Sequence, residues 1–403
     1  MSEEKNVPKL RFPGFTEPWE QRKLGEVLES MQNNTLSRAE LSNEQGSVMN
    51  VHYGDVLVKF GEVLNVSEEQ LPMIADDIIV EKYKSSFLQN GDVIIADTAE
   101  DETVGKCTEI ANLQEKAVVS GLHTIPYRPL FKFASGYLGY YMNSAAYHNQ
   151  LLPLMQGIKV TSISKSSMQN TDIVYPKSVN EQKQIGDYFC KLDRLITLHQ
   201  RKLGHVKDLK KSMLQKMFPK NGELYPEVRF PGFTAAWEQR ELGTVTQEFK
   251  SGNSLKADKI SESGKYPVYG GNGLRGYTSN YNHDGEFALI GRQGALCGNM
   301  NYSIGKAYFT EHAVVVEANE KNNTRFIYYM LDTMNLGQYS DQSAQPGLAV
   351  NKLIKLENMF PRKEEQVWIG NYFQSLDHLI TLHQRELDHL QLLKKGMLQQ
   401  MFV

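Results

Sequence analysis

The chain has 403 residues, of which 40% are hydrophobic and 23% are charged, a balance typical of a globular protein with more than one core. Its formal net charge of -3 excludes a global electrostatic attraction to a polyanion, so any groups that bind one must be local or supplied by partners. The three cysteines lie far apart and exclude a zinc or disulfide framework, and the lack of a long apolar run predicts a cytoplasmic protein that does not enter a membrane.

A short segment near the N-terminus, which we call the strap, returns in the middle of the chain. PKLRFPGFTEPWEQRKLGEV, Pro8–Val27, is repeated as PEVRFPGFTAAWEQRELGTV, Pro226–Val245, with 14 of 20 positions identical. Its aromatic residues are either packing anchors on a neighbouring helix or a docking surface for another subunit. They are Phe12, Phe15 and Trp19 in the first copy and Phe230, Phe233 and Trp237 in the second.

The stretch between the first strap and about residue 180, the first insert, contains short alternating strands, glycine turns and one or two helices. Without a βαβ rhythm, this pattern predicts a compact α+β domain. An acidic turn at Asp97–Glu102 lacks the further residues of a nuclease metal site. It is interpreted as a solvated loop, with acceptance of hydrogen bonds from cytosine amino groups as the alternative. A polar loop carries Lys159, Thr161, Ser164 and Lys165, which either contact phosphate or are simply solvated.

Heptad-spaced apolar residues predict a long helix from Glu181 to Phe218, ended by Pro219, and a second copy in the last 39 residues. Two such helices can cover each other's apolar stripes, which predicts an antiparallel intramolecular coiled coil with the inserts at its opposite ends. The two histidines of the stripe are interpreted as polar register markers rather than catalytic or metal-binding groups. The candidate seam residues are Ile185, Leu192, Leu195 and His199, and Ile369, Leu376, Leu379 and His383.

The second insert, roughly residues 246–364, is shorter than the first and is rich in glycine. Glycines near Gly270 allow a ligand to approach the backbone, and several long side chains nearby can donate paired hydrogen bonds. These candidates are Asn272, Arg275, Arg292, Gln293 and Asn299; the alternative is a network of structural amides. Further along, Gln345, Gly347 and Lys352 are compared with Gly157 and Lys159 of the first insert.

The order of strap, insert and long helix, repeated once, resembles the specificity subunits of Type I restriction-modification enzymes. The motifs that carry the resemblance are RFPGFT-x-x-WEQR-x-LG and EQ-x-x-IG-x-YF…LD-x-LITLHQR…LKK-x-MLQ-x-MF in both copies, with QNGDVI-x-AD and GLHTI-x-Y-x-P in the first insert. The resemblance implies that the helices are a spacer that binds two modification subunits, that two restriction subunits join them, and that each insert reads one half of a split target in double-stranded DNA.

The resulting prediction is an α+β fold with two target recognition domains separated by an antiparallel coiled coil of two long helices, related by a pseudo-twofold internal repeat. The predicted layout is strap and recognition domain at 1–180, spacer helix at 181–218, second strap and recognition domain at 219–364, and second spacer helix at 365–403. His123 and His312 are interpreted as core or base-reading residues in preference to a catalytic pair.

No phosphate-binding loop G-x-x-x-x-G-K-[ST] and no methyltransferase motif [ND]-P-P-[YF] occurs in the sequence. We therefore expect a non-catalytic chain with no metal or cofactor of its own, whose partner subunits use S-adenosylmethionine, ATP and Mg²⁺. The alternative is a coiled-coil adaptor whose two inserts bind protein or carbohydrate.

Overall fold

The structure, a computed structural model, describes residues 6–75, 77–220, 222–340 and 347–403, except for the side chains of 77–79. The chain forms two compact units, Met1–His199 with Glu386–Val403, and Gln200–Arg385. We call them the first and the second unit. Each contains one strap, one insert and part of both long helices. No helix in the described part of the chain is long and apolar enough to cross a membrane.

The first unit contains thirteen strands within its described residues, and a long helix, α7, begins in it. The strands are β1 (Glu20–Lys23), β2 (Leu28–Ser30), β3 (Leu41–Ser42), β4 (Val48–Val51), β5 (Val63–Asn65), β6 (Met73–Ile74), β7 (Val93–Ala96), β8 (Thr98–Ala99), β9 (Cys107–Ala111), β10 (Val118–Ser120), β11 (Thr124–Pro129), β12 (Thr161–Ser162) and β13 (Asp172–Tyr175). The helices are α1 (Leu24–Val27), α2 (Tyr53–Val58), α3 (Asp77–Tyr83), α4 (Tyr137–Asn143), α5 (Ala145–His148), α6 (Lys165–Gln169) and α7 (Val179–Lys216).

The second unit has fewer elements, in keeping with its shorter insert. Its strands are β14 (Glu238–Glu241), β15 (Thr246–Ser251), β16 (Tyr266–Gly270), β17 (Gly273–Thr278), β18 (His283–Gly291), β19 (Met300–Phe309), β20 (Ala313–Ala318) and β21 (Glu357–Phe360). Its helices are α8 (Leu242–Val245), α9 (Thr324–Thr333), α10 (Val350–Leu353) and the start of α11 (Lys363–Met401).

Each insert has its own main sheet, and the two sheets have the same arrangement of central strands. The first unit has a five-stranded sheet in the order β2-β11-β7-β9-β5, and the second has a six-stranded sheet in the order β15-β20-β18-β19-β16-β17. The first four strands of each order pair antiparallel in the same way. The first insert adds a four-stranded sheet, β10-β4-β6-β3, which accounts for part of its extra length. The predicted α+β class is confirmed.

In each unit the two long helices run antiparallel, as predicted. In the first unit the Phe402 ring stacks on Phe189, with centroids 5.8 Å apart, and Lys394 pairs with Asp193 at 2.6 Å. The second unit repeats both contacts with equivalent residues. Phe218 stacks on Phe373 at 6.0 Å, and Lys210 pairs with Asp377 at 2.6 Å.

The seam is narrower than the sequence pattern predicts. Ile185 and Leu192 are buried in the first unit and Ile369 and Leu376 in the second, while His199 and His383 are partly buried. Leu195 and Leu379, which we expected to widen the buried stripe, are instead 43% and 39% exposed. A two-stranded seam buries two positions per heptad, and the phenylalanines at 189 and 373 take the second position.

Both helices begin two residues before the predicted start, and α7 ends two residues before its predicted end. The Ser178 hydroxyl accepts a hydrogen bond from the backbone of Glu181 at 3.4 Å, so it caps the first turn of α7. Met217 and Phe218, which follow the last turn, are buried in the core of the second unit.

The first strap is held against the start of α7. Arg11 makes a two-pronged ion pair with the buried Glu181 at 2.6 and 2.8 Å, and the Trp19 indole donates to the same carboxylate at 3.3 Å. Phe12 packs edge-on against Tyr188, with centroids 6.0 Å apart, and Phe15 is partly buried. Since Trp19 is 2% exposed, it packs inside the unit and is not available to a partner.

The second strap repeats these contacts at the start of α11. Arg229 pairs with the buried Glu365 at 2.6 Å through two nitrogens, and Trp237 is again buried. Phe230 and Phe233 lie against Trp368, with centroids 5.6 and 6.2 Å away. The strap residues therefore anchor each insert to its helix.

A buried helix of each insert is tied to the long helices by the same three residue types. In the first unit Tyr140 donates to Asp193 at 2.6 Å, and Asp193 pairs with Lys394. In the second unit Tyr329 donates to Asp377 at 2.7 Å. Tyr140 and Tyr329 therefore occupy equivalent positions in the two units.

Candidate nucleic-acid interface

The acidic turn and the lysine loop of the first insert lie side by side. Strand β12, in the lysine loop, pairs antiparallel with β8, which belongs to the acidic turn. The Ile163 amide donates to the Asp97 carbonyl at 2.9 Å and fixes the place where the two segments meet. The two segments, which are far apart in the sequence, therefore form one surface.

The four candidates of the lysine loop have different surroundings. Lys159 is exposed near the loop tip, next to Ile158, which is fully exposed, and Thr161 lies in β12. Ser164 caps α6 by accepting from the Ser167 amide at 3.1 Å, so it has a structural role. The exposed Lys165 reaches the Met31 carbonyl at 3.4 Å. Lys159 and Lys165 are therefore accessible to an anionic ligand.

His123 lies at the edge of this surface, in a left-handed conformation with φ 54°. Its Nδ1 is 3.5 Å from the Asp97 carboxylate, and the Thr98 hydroxyl donates to the same carboxylate at 2.8 Å. The Tyr53 ring contacts the imidazole edge-on, at 5.3 Å between centroids. Because its side chain is 48% exposed, His123 is not a core residue.

Beside this group, His52 is buried, and its Nδ1 accepts from the Gly54 amide at 3.2 Å. Burial, with a smaller contribution from the Arg38 charge, lowers the pKa of His52, which favours the neutral ring. The charge of this surface therefore comes from Asp97 and the lysines rather than from His52.

In the second insert, the glycine turn lies against Arg292 and Gln293. The Arg292 amide donates to the His312 carbonyl at 2.9 Å, and His312 Nδ1 is 3.2 Å from the Gln293 amide oxygen. A Cβ added to Gly271 would lie 3.1 Å from the His312 carbonyl oxygen, so the turn passes close to this pair. Gln293 also forms an isolated bridge with Gly347.

The remaining candidates surround this cluster at greater distance. Asn272 is exposed at the turn between β16 and β17, and the exposed Arg275 lies in β17 and folds back over Gly270. Asn299 is exposed, and its carbonyl accepts from Gly291 at 2.8 Å. Asn272 and Arg275 therefore flank the glycine turn that approaches the backbone of Arg292 and Gln293.

The comparison of Lys352 with Lys159 is wrong. The Leu348 amide donates to the Arg292 carbonyl, as Ile163 does to Asp97, so Leu348 is equivalent to Ile163. Lys352 therefore corresponds to Ser167 and lies exposed on α10. Gln345 lies outside the described residues. The error arose because the glycines in the two loops do not occupy equivalent positions.

The sequence did not single out Thr98 or Tyr53 as ligand-binding residues, and it pointed to Asp97 only as one member of the acidic turn. The acidic turn was recognised, but nothing in its sequence shows that it meets a loop some sixty residues later. Among the described residues, no group of three His, Cys, Asp or Glu side chains could hold a metal ion.

A family model described as the Type I restriction modification DNA specificity domain matches residues 16–208 and 235–392. The chain is 44% identical over 146 residues to the Type I restriction enzyme EcoprrI specificity subunit of Escherichia coli, a match that covers 35% of this chain and 36% of that one. It is 22% identical to the putative MjaX specificity subunit of Methanocaldococcus jannaschii, over 97% of this chain and 94% of that one.

The fold is similar to the crystal structure of the S subunit of a Type I restriction-modification system from M. genitalium. The TM-score is 0.68 at 16% sequence identity, over 98% of this chain and 99% of that one. The repeated frame, the two inserts and the two matches to the domain model agree, and the chain belongs to the family of Type I restriction-modification specificity subunits.

Proposed function

We propose that this chain binds a bipartite, asymmetric sequence in double-stranded DNA and that each insert recognises one half-site. The observation that carries the proposal is the unlike chemistry of two faces built on one frame. The first insert offers carboxylates and lysines, and the second offers arginines, amides and glycine backbone. Since base edges in the major groove differ in their donors and acceptors, unlike side chains select unlike half-sites.

The same proposal gives the long helices a second role as a scaffold for two modification and two restriction subunits. Several leucines on α7 and α11 are exposed although they are large and apolar, which suits contacts with partner helices. They are Leu195, Leu198, Leu379, Leu382 and Leu392. S-adenosylmethionine, ATP and Mg²⁺ are then used by the partners, and we assign no catalytic residue to this chain.

The proposal is tested by methylation-site mapping in cells that carry this chain and its modification subunit. We expect one split motif with two unlike half-sites and a constant gap. The purified complex should retard a duplex with that motif and release a duplex in which either half is scrambled. Equal retention of all duplexes would contradict the proposal, and binding to protein or carbohydrate without DNA retardation would support the adaptor alternative.

The length of the spacer provides a second test. Deleting the equivalent heptads 196–202 and 380–386 removes seven residues from each helix and keeps the seam in register. Each helix becomes about 10 Å shorter, which corresponds to about three base pairs. We expect both half-sites to persist with a changed gap; an unaltered gap in the methylation map would show that the helices do not set it.

A further inference from the structure

Three backbone hydrogen bonds hold one small region of the first insert. The Gly121 amide donates to Val51, the Asp97 amide donates to His123, and the Ile163 amide donates to Asp97, at 2.9, 3.1 and 2.9 Å. These bonds bring together four segments: the end of β4, the turn after β7, the loop between β10 and β11 and the segment after β12.

The same three bonds recur in the second insert. The Thr310 amide donates to Tyr269, the Arg292 amide donates to His312, and the Leu348 amide donates to Arg292, each at 2.9 Å. The strands behind them also correspond, because β4 pairs parallel with β10 as β16 does with β19. The two inserts therefore build the same backbone site from sequences that show little similarity.

At this site the two inserts carry unlike side chains beside a common histidine. Asp97 is equivalent to Arg292, because the backbone amide of each donates to the carbonyl of the histidine. The carbonyl of Asp97 accepts from the Ile163 amide, as the carbonyl of Arg292 accepts from the Leu348 amide. His123 and His312 are equivalent, and their side chains are 48% and 44% exposed. One site thus presents a carboxylate and the other a guanidinium, at the same place in the fold.

The neighbouring residue also differs in chemistry. Thr98 donates to the Asp97 carboxylate, whereas Gln293 places its amide oxygen 3.2 Å from His312 Nδ1. The Arg292 guanidinium makes no hydrogen bond or ion pair with a residue that the structure describes, although its backbone is held on both sides. The scaffold thus fixes the backbone and leaves the arginine head group available.

The loop next to the histidine carries different residues in the two inserts. In the first insert the Tyr53 ring lies against His123, while the equivalent position in the second insert is Gly271. A Cβ at Gly271 would press on the His312 carbonyl oxygen at 3.1 Å. The second site therefore has a buried glycine where the first presents an aromatic ring.

We propose that this repeated site is the base-reading centre of each insert and that Asp97 and Arg292 are equivalent specificity-determining residues. The inference rests on the proposed function. A guanidinium donates two hydrogen bonds to guanine O6 and N7, and a carboxylate accepts from the amino group of cytosine or adenine. The half-site read by the second insert therefore contains a guanine at the Arg292 position. The half-site read by the first contains a cytosine or an adenine at the Asp97 position.

The test uses the full chain with its modification subunit, and duplexes that carry the mapped motif or a single base-pair change in it. Arg292→Ala should abolish discrimination at one guanine of one half-site, a loss of about ten- to hundredfold in preference. Asp97→Ala and Asp97→Asn should relax the base preference at one position of the half-site read by the first insert. Both should leave the half-site read by the second insert unchanged. Arg240→Ala, a partly exposed arginine paired with Glu238 in the same unit, and Asp101→Ala, in the same turn as Asp97, are the matched controls.

Three results would overturn the inference. Variants of Asp97 and Arg292 that keep the wild-type motif and all single-base preferences would show that other residues read the bases. Equal weakening on every duplex, with a shallower salt dependence, would assign the side chains to phosphate contact instead. A wild-type complex with no sequence preference would contradict the proposed function itself, and the wild-type measurement separates that failure from the other two.

Discussion

The frame and the inserts repeat in different ways. In the frame, the same residue types make the same contacts in both units: arginine with a buried glutamate, and tyrosine with aspartate and lysine. In the inserts, the same backbone bonds carry unlike side chains. A buried ion pair needs particular residues in one geometry, whereas a loop held through its backbone leaves its exposed side chains free to differ. The frame thus depends on which residues occupy its contact positions. The reading site depends instead on the geometry of its backbone.

The largest expected effect comes from breaking the ion pair between strap and long helix, which occurs once in each unit. Arg11→Met and Arg229→Met each leave a buried glutamate without its cation, which costs about 3 to 5 kcal/mol of unfolding free energy. Arg229→Met should cost more, because Trp19 still donates to Glu181 while the Trp237 indole has no acceptor among the described residues. Urea titration with far-UV circular dichroism measures both changes.

The exposed Arg22, which pairs with Glu20, is the control for this experiment. Arg22→Met should leave the urea midpoint nearly unchanged. Equal midpoints for Arg22→Met and the two strap variants would contradict the role of the straps as anchors.

The second expected effect is a pH dependence of stability that only the first insert contributes. Burial raises the pKa of Glu109 to about 7, against hydrogen bonds from the amides of Gly136 and Gly139 that lower it. The equivalent residue of the second insert, by the pairing of β9 and β19, is Tyr302. The folded first unit therefore holds a proton that the unfolded chain releases near pH 4.5.

Because the folded-state pKa is raised, this contribution to stability is full below about pH 4.5 and is lost as the pH rises through about 7. The loss is about 3 kcal/mol. Glu109→Gln should remove that pH dependence, measured as the difference in unfolding free energy between pH 5 and pH 8. The exposed Glu115→Gln is the control, and an unchanged pH profile in Glu109→Gln would refute the assignment.

A smaller effect tests whether the frame also binds partners. Leu195→Glu and Leu379→Glu alter exposed positions and should change the unfolding free energy by less than about 0.5 kcal/mol. They should weaken binding to the modification subunit by about tenfold, because they place a charge in an apolar contact. Isothermal titration calorimetry measures the affinity, with the exposed Thr197→Glu as the control. Wild-type affinity in both leucine variants would place the partner contact elsewhere.

The smallest effect concerns the lysine loop of the first insert. If Lys159 and Lys165 contact phosphates, replacing either with alanine should weaken binding to all duplexes alike and reduce the salt slope by about one. The exposed Lys132→Ala is the matched control. A loss confined to one base pair would instead make the lysine a base-reading residue and move the reading site away from Asp97.

Periodicity in the sequence predicts the frame well. The heptad pattern identifies both long helices, and Ile185 and Ile369 are buried at the predicted positions. It does not predict the width of the seam, because the pattern shows which face is apolar but not how much of it a partner helix covers. Leu195 and Leu379 are exposed for that reason.

The candidate site is harder to predict because its residues are distant in the chain. Arg292, Gln293 and the glycines near Gly270 were selected by type, and the structure does bring them together. Asp97 was interpreted as part of a solvated loop, because only the pairing of β8 with β12 shows that it lies beside the lysine loop. The comparison of Lys352 with Lys159 failed because similarity in a few glycines is weaker evidence than a shared hydrogen bond.

The amino-acid sequence by itself determined the duplicated frame, the two long helices and the difference between the inserts, because these depend on local periodicity and on repeated residues. Only the tertiary structure decided that Asp97 and Arg292 occupy equivalent positions. That equivalence depends on backbone hydrogen bonds between segments far apart in the chain, and such bonds form whatever side chains the segments carry.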